Sequence, residues 1–194
     1  MSQKNDIQHS ILIVSGSEQF NSVVKKALPF GSFMSCDIRK SIALARQTIL
    51  ERYYDIVVIN APLPDEMGIE LALDITEQTN ASVLLAVPRE IYEEVLEKVT
   101  DYGILVLSKP LPVERIPQSI RFLMAVQGKL RLLEKKVESA QEKTEELRII
   151  DKAKLLLIEK KHLTEDEAHR YIGKQAMDQG LSRKRIAQLL LEDL

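Results

Sequence analysis

Five short apolar runs, at 11–14, 32–38, 56–59, 83–87 and 104–107, recur through the first two thirds of the chain. The first four are each followed by a segment whose apolar residues return every three or four positions. Val23, Val24, Ala27 and Leu28 mark the first such helix, and Ile42, Leu44, Ala45 and Ile49 the second. Ile69, Leu71, Ala72 and Ile75 mark the third, and Ile91, Val95, Leu96 and Val99 the fourth. The runs are continuously apolar rather than alternating, the pattern of strands covered on both faces. They predict an α/β domain, a doubly wound five-stranded parallel sheet.

At 194 residues and a net charge of -2, the chain has room for one such domain and a small accessory one. Its first ten residues, MSQKNDIQHS, are polar, and no apolar run approaches the length of a bilayer span. A cytoplasmic protein with no membrane partner is expected. Cys36 is the single cysteine, which excludes an internal disulfide and cysteine-based zinc clusters. It reads as a core residue of the second strand. His162 and His169 have no cysteine or carboxylate pattern around them, so neither a metal nor a cofactor is expected.

Ligands of doubly wound sheets sit beyond the carboxyl ends of the strands. The residues there are Ser15 and Gly16, Asn60, Ala86 to Pro88, and Ser108, Lys109 and Pro110. The pattern of Tyr54 and Asp55 before the third strand, Asn60 after it, then Pro64, Met67 and Gly68, with Lys109-Pro110 after the fifth strand, resembles the receiver domain of two-component response regulators. The resemblance covers roughly residues 9–127 and implies a flavodoxin-like fold. A working receiver carries two acids after its first strand and an aspartate after its third, to hold Mg²⁺ and attack a phosphoryl group. Ser15, Gly16 and Asn60 stand at those positions, and Ala86 replaces the Ser or Thr of the family. A neutral amide is no phosphoryl nucleophile. Residues 1–127 are therefore read as a pseudo-receiver incapable of aspartyl phosphorylation. Lys109 alone survives, expected to donate to the Asn60 carbonyl or to strand-end carbonyls. Asp65 and Glu66 are expected to act as dipole partners of the helix their loop begins.

Pro110, Pro112 and Pro117 mark a helix start as late as Ile116, and from there to about Lys161 there is no further proline and one glycine, Gly128. Leu123, Val126, Leu130, Leu133, Val137, Ala140, Thr144 and Leu147 form a stripe spaced by threes and fours. A parallel coiled-coil homodimer over 128–150 is the expected arrangement, with Leu130, Leu133, Val137, Ala140 and Leu147 as its seam. The alternative is a solvated helix folded back on its own receiver. Glu134, Glu138 and Glu142 oppose one another at four-residue spacing and weaken the seam.

Residues 151–194 read as three short helices. Thr164 and Glu167 make a capping box, Gly180 a helix end, and Ser182 the cap of a helix turning Ile186, Leu189 and Leu190 inward. Ala153-Lys154, Leu157-Ile158, Glu167-Ala168, Ala176-Met177 and Ile186-Ala187 together resemble an ANTAR domain, over about 148–192. That resemblance implies binding of paired hairpins in a nascent leader transcript, which prevents an overlapping terminator from forming, and no enzymatic activity. His169 stands where the family usually has an aromatic residue, and Gly173 where it often has a basic one. Nine bases face eight acids from Asp151 onward, so affinity for RNA requires gathering bases on one face and doubling them by dimerisation. Lys154, Arg170, Lys174, Gln175, Arg183, Lys184 and Arg185 are the candidate RNA contacts. Input is expected from a signal-sensing regulatory protein or a ligand-controlled contact. Two other readings remain: Ala176, Gly180 and Ile186 fit the spacing of a DNA-binding helix-turn-helix, and the near-neutral charge suits a protein-only dimerisation adaptor.

Overall fold

The computed structural model describes residues 8–112 and 114–193. The chain divides into two compact units, 1–131 and 132–194. In the first, the order is β1 (His9–Val14), α1 (Glu18–Ala27), β2 (Phe33–Arg39), α2 (Ile42–Glu51), β3 (Ile56–Asn60), α3 (Ile69–Gln78), β4 (Ser82–Val87), α4 (Tyr92–Val99), β5 (Leu105–Ser108) and the start of α5 (Arg115–Lys161). All strands pair in parallel in the order β2-β1-β3-β4-β5, so the expected doubly wound sheet is present.

Every residue of β1, β3 and β4 is buried. Successive side chains serve opposite layers. Leu12, Val14, Val57, Ile59 and Leu85 meet Ile42 and Ala45 of α2, Leu71 and Ile75 of α3 and Val95 and Val99 of α4. Ile11, Ile13, Val58 and Leu84 meet Val24 of α1 and Ile116, Ile120 and Leu123 of α5. Cys36, on the edge strand β2, packs against this second layer but is only partly buried, short of the core position expected. Leu123 thus belongs to the sheet's cover, which corrects its place at the head of the coiled-coil stripe.

Local chemistry sets the element ends. The Ser17 hydroxyl accepts from the Phe20 amide at 3.2 Å and caps α1. Asp65 departs from its expected place as a dipole partner of α3, whose first turn begins after Gly68. Its carboxylate accepts from the Ile42 and Ala43 amides, both at 3.0 Å, and so caps α2 from across the carboxyl edge of the sheet. Those amides hold its pKa below the ordinary value. Gly68 precedes α3 at φ 82°, and a Cβ there would lie 2.9 Å from Ile59 Cγ2, so both backbone and space demand glycine.

At the opposite edge, Asp55 ties three segments together. Its carboxylate accepts from the Ser10 amide at 2.7 Å and the Ser10 hydroxyl at 3.0 Å, and pairs with Arg131 of α5. Gln127 of α5 donates to Asn80 O at 2.6 Å and Ser82 Oγ at 3.0 Å. The first unit therefore holds α5 as far as Arg131.

The second unit packs Ala153 and Leu157 of α5 against Ala168, Ile172 and Ala176 of α6 (Glu165–Gln179) and Ile186 and Ala187 of α7 (Arg183–Asp193). The small residues permit the helices to approach closely. The Thr164–Glu167 capping box forms, Gly180 ends α6 at φ 64°, and the Ser182 hydroxyl accepts from the Arg185 amide at 3.2 Å. The expected three-helix bundle is present. Upstream, Leu130, Leu133, Val137, Ala140 and Leu147 are exposed.

Burial pushes the Asp55 carboxyl up, but hydrogen bonds from the Ser10 amide, Arg131 and the Ser10 hydroxyl outweigh it and hold the pKa below the usual 3.8. A depressed carboxylate stabilises the fold above its unfolded pKa, and the contribution fades as pH falls through the folded value. Asp55→Asn is expected to cost about 1–3 kcal/mol at pH 7. The gap from wild type should close as the pH drops below about 4, which urea melts at several pH values would measure.

Candidate nucleic-acid interface and receiver-like site

Ser15, Asn60 and Ala86 are buried at the carboxyl edge of the sheet. The Asn60 amide donates through Nδ2 to Ser15 Oγ at 3.0 Å, and Ser15 Oγ also accepts from the Ser17 amide at 3.1 Å. Asn60 is in register with Ala86 on β4, so a methyl group faces that point. Gly16 is exposed, and a Cβ added there would stand 3.9 Å from Lys40 O. Lys109 donates to Ala61 O, a strand-end carbonyl, rather than to Asn60. Burial pushes its ammonium pKa down. Asn60 Oδ1 is left buried without a hydrogen-bond partner. Among the described residues, no group of three or more His, Cys, Asp or Glu could hold a metal ion. The five positions read from the sequence lie in the loops and strand ends that form this edge, and of the two spare acids Asp65 is committed to α2.

In the helical unit, the seven candidate contacts do not form one cluster. Arg170, Lys174 and Arg183 line a groove between α6 and α7, together with His169, Gly173 and Met177, and with Asp178 as its one acid. Spacing explains the α6 members: His169, Gly173 and Met177 recur every fourth residue beside Arg170 and Lys174. Arg183 crosses from α7 over Gly173, where an added Cβ would stand 3.8 Å from the guanidinium. Among the described residues, none of these three cations is in an ion pair within 4.0 Å.

The other candidates are placed differently. Lys154 keeps only 16% of its side chain exposed, with its ammonium 2.8 Å from Asp151 and 3.3 Å from Glu165. Hydrogen bonding to Asp151 and to Glu165 pulls its pKa up. It joins α5 to the first turn of α6. Gln175 accepts from Gln179 Nε2 at 2.9 Å. Lys184 is half-buried and Arg185 exposed, and neither lines the groove. Sequence reasoning passed over Met177, which is 85% exposed on the groove. Tyr171 lies on another face, under the Lys161 ammonium, 4.7 Å from its ring centroid.

Residues 138–191 match the family profile of the ANTAR domain. The transcriptional regulatory protein PdtaR of Mycobacterium tuberculosis is 27% identical over 141 residues, spanning 72% of this chain and 68% of that protein. The signal receiver domain of an HD domain-containing protein from Pseudomonas fluorescens Pf-5 superposes with a TM-score of 0.56 at 22% identity, covering 64% of this chain and 93% of the other. A CheY-like response regulator receiver domain protein from Methanospirillum hungatei JF-1 gives 0.55 at 18% identity, covering 63% and 98%. These likenesses are in the fold: a five-stranded parallel sheet of the receiver type.

Gly173 sits inside α6 without a positive φ, and the space at its Cβ is of ordinary van der Waals width. Gly173→Ala is therefore expected to stabilise the helical unit by about 0.5–1 kcal/mol through helix propensity. Thermal melts and amide exchange in α6 would report it.

Proposed function

We infer, for a chain that carries an ANTAR domain at its carboxyl end behind a receiver-like fold, that it is a transcription antitermination regulator binding hairpins in nascent leader RNA. The ANTAR domain and the likeness to a transcriptional regulatory protein support a regulatory role without enzymatic activity. The observation that carries the RNA reading is the groove between α6 and α7. There Arg170, Lys174 and Arg183 converge from two helices, without carboxylate partners within 4.0 Å among the described residues. Guanidinium and ammonium groups left free of ion pairs are available to phosphate oxygens, which supply most of the affinity for nucleic acid. Arg185, Lys184 and Gln175 flank this set, while Lys154 serves by docking α6 on α5.

Three cations in a near-neutral unit are few, so presentation in duplicate is part of the reading. The exposed seam Leu130, Leu133, Val137, Ala140 and Leu147 is the surface for a parallel homodimer over 128–150. The receiver-like residues 1–127 would act without phosphorylation, taking input from a regulatory partner or ligand in the cytoplasm, and residues 151–194 would engage the transcript.

Two experiments test this. In a gel-shift salt series, tandem leader hairpins should be preferred over duplex DNA. Lys174→Glu or Arg183→Glu should weaken hairpin binding and flatten the salt slope by about one each. Preference for duplex DNA would instead select the helix-turn-helix reading, and binding to neither the adaptor. Acetyl phosphate with Mg²⁺ should leave no label on the wild-type chain. Asn60→Asp alone should not restore one, because Ser15 and Gly16 supply no carboxylate to the metal. Phosphate transfer followed by mass spectrometry would measure both.

A further inference from the structure

A cleft of about 430 Å³ opens at the carboxyl edge of the sheet, beside α1 and the first turn of α5. That volume is within the range of small-molecule sites. Its walls divide by chemistry. Phe20 and Val23 of α1, with Leu111 and Ile116, are apolar, while Asn60, Lys109 and Ser17 are polar. Nothing in the phosphorylation-independent reading uses this space.

Lys109 is the group that makes the cleft more than a gap. Its ammonium carries three donors, and its hydrogen bond goes to the neutral Ala61 carbonyl. Among the described residues no carboxylate lies within 4.0 Å of it. Burial without a counter-charge lowers its pKa. A half-buried cation served by a neutral carbonyl lacks an anion. On the same wall, Asn60 is nine-tenths buried with Oδ1 unpaired, an acceptor that repels an anion and so leaves the Lys109 ammonium as the carboxylate's place.

The cleft also limits which anion fits. One ammonium balances one negative charge. A phosphate dianion would keep an excess charge in a site where, among the described residues, no group of carboxylates could bring Mg²⁺. An inorganic anion would leave the four apolar side chains unused.

We propose that this cleft binds a small organic monocarboxylate with a branched or aromatic hydrocarbon body, the carboxylate on the Lys109 ammonium and the body against Phe20, Val23, Leu111 and Ile116. Such an occupant touches α1 and Ile116 in the first turn of α5, the helix that continues into the second unit. It would therefore be the input to the receiver-like unit, and in that respect the proposal rests on the reading of that unit as phosphorylation-independent.

The test is calorimetric titration and thermal shift of the full chain with phenylacetate and 3-methylbutanoate. Phenylacetamide, acetate and inorganic phosphate serve as the comparison compounds. At least one of the two carboxylates should bind saturably below about 10 mM. Phenylacetamide, which keeps the body and loses the charge, should bind at least about tenfold more weakly than phenylacetate, and acetate more weakly than either acid. Lys109→Met and Phe20→Ala should each weaken binding by a similar factor. The amide comparison needs no variant, so it holds even where a substitution disturbs folding. Absence of saturable binding by both acids up to about 10 mM, equal binding of acid and amide, or tighter binding of inorganic phosphate would each overturn the proposal. A chain that takes no label from acetyl phosphate and binds neither acid loses this proposal alone. A chain that is labelled loses the phosphorylation-independent reading instead.

Discussion

The burial of β1, β3 and β4 on both faces is the constraint from which the first unit follows. A strand with no solvent face must be covered twice, and parallel neighbours must be joined by crossovers, so the helices distribute themselves to both sides. Leu12 and Val14 then look to α2, α3 and α4, while Ile11 and Ile13 look to α1 and α5. Because the strands run in one direction, their carboxyl ends share one edge. Ser15, Asn60, Ala86 and Lys109, widely separated along the chain, are brought to that edge by topology alone. The same demand for cover recruits Ile116, Ile120 and Leu123 of α5, whose later residues Ala153 and Leu157 fill a different core.

The apolar runs made the five strands legible, since unbroken burial needs no alternation. Their ends were less so, and the reason is polar. Ser10 belongs to β1 because Asp55 satisfies its amide and hydroxyl, and Ser82 belongs to β4 while accepting from Gln127. Those partners stand 45 residues away, beyond the reach of any local pattern. Periodicity likewise found the long helix and its turn after Lys161 but not what covers each stretch of it. The stripe that begins at Leu123 is one face geometrically and two environments physically. Asp65 was assigned to the nearest helix in sequence, whereas its carboxylate accepts from the first amides of α2.

In the candidate sites, what could be read was the loss of chemistry. Replacing acids by Ser15, Gly16 and Asn60 removes charge whatever the geometry. Which of two carbonyls Lys109 meets required coordinates. In the helical unit, Arg170 and Lys174 share a face by helical spacing, but Arg183 joins them only through the packing of α7. Lys154 reads as a contact because it is basic within the ANTAR pattern, and its ion pairs add a second role in joining α5 to α6. Asp151, three residues before it on the same helix, was the available sign that its charge was already engaged.

Asp65 reaching across to α2 has a meaning for the rim it sits on. Two backbone amides of one crossover grip a carboxylate from the next, so the β3–α3 connection is braced against its neighbour by the protein's own atoms. Gly68, whose backbone and surroundings admit no side chain, fixes the other end of that connection. The freedom of the loop is given up when the chain folds rather than when something arrives.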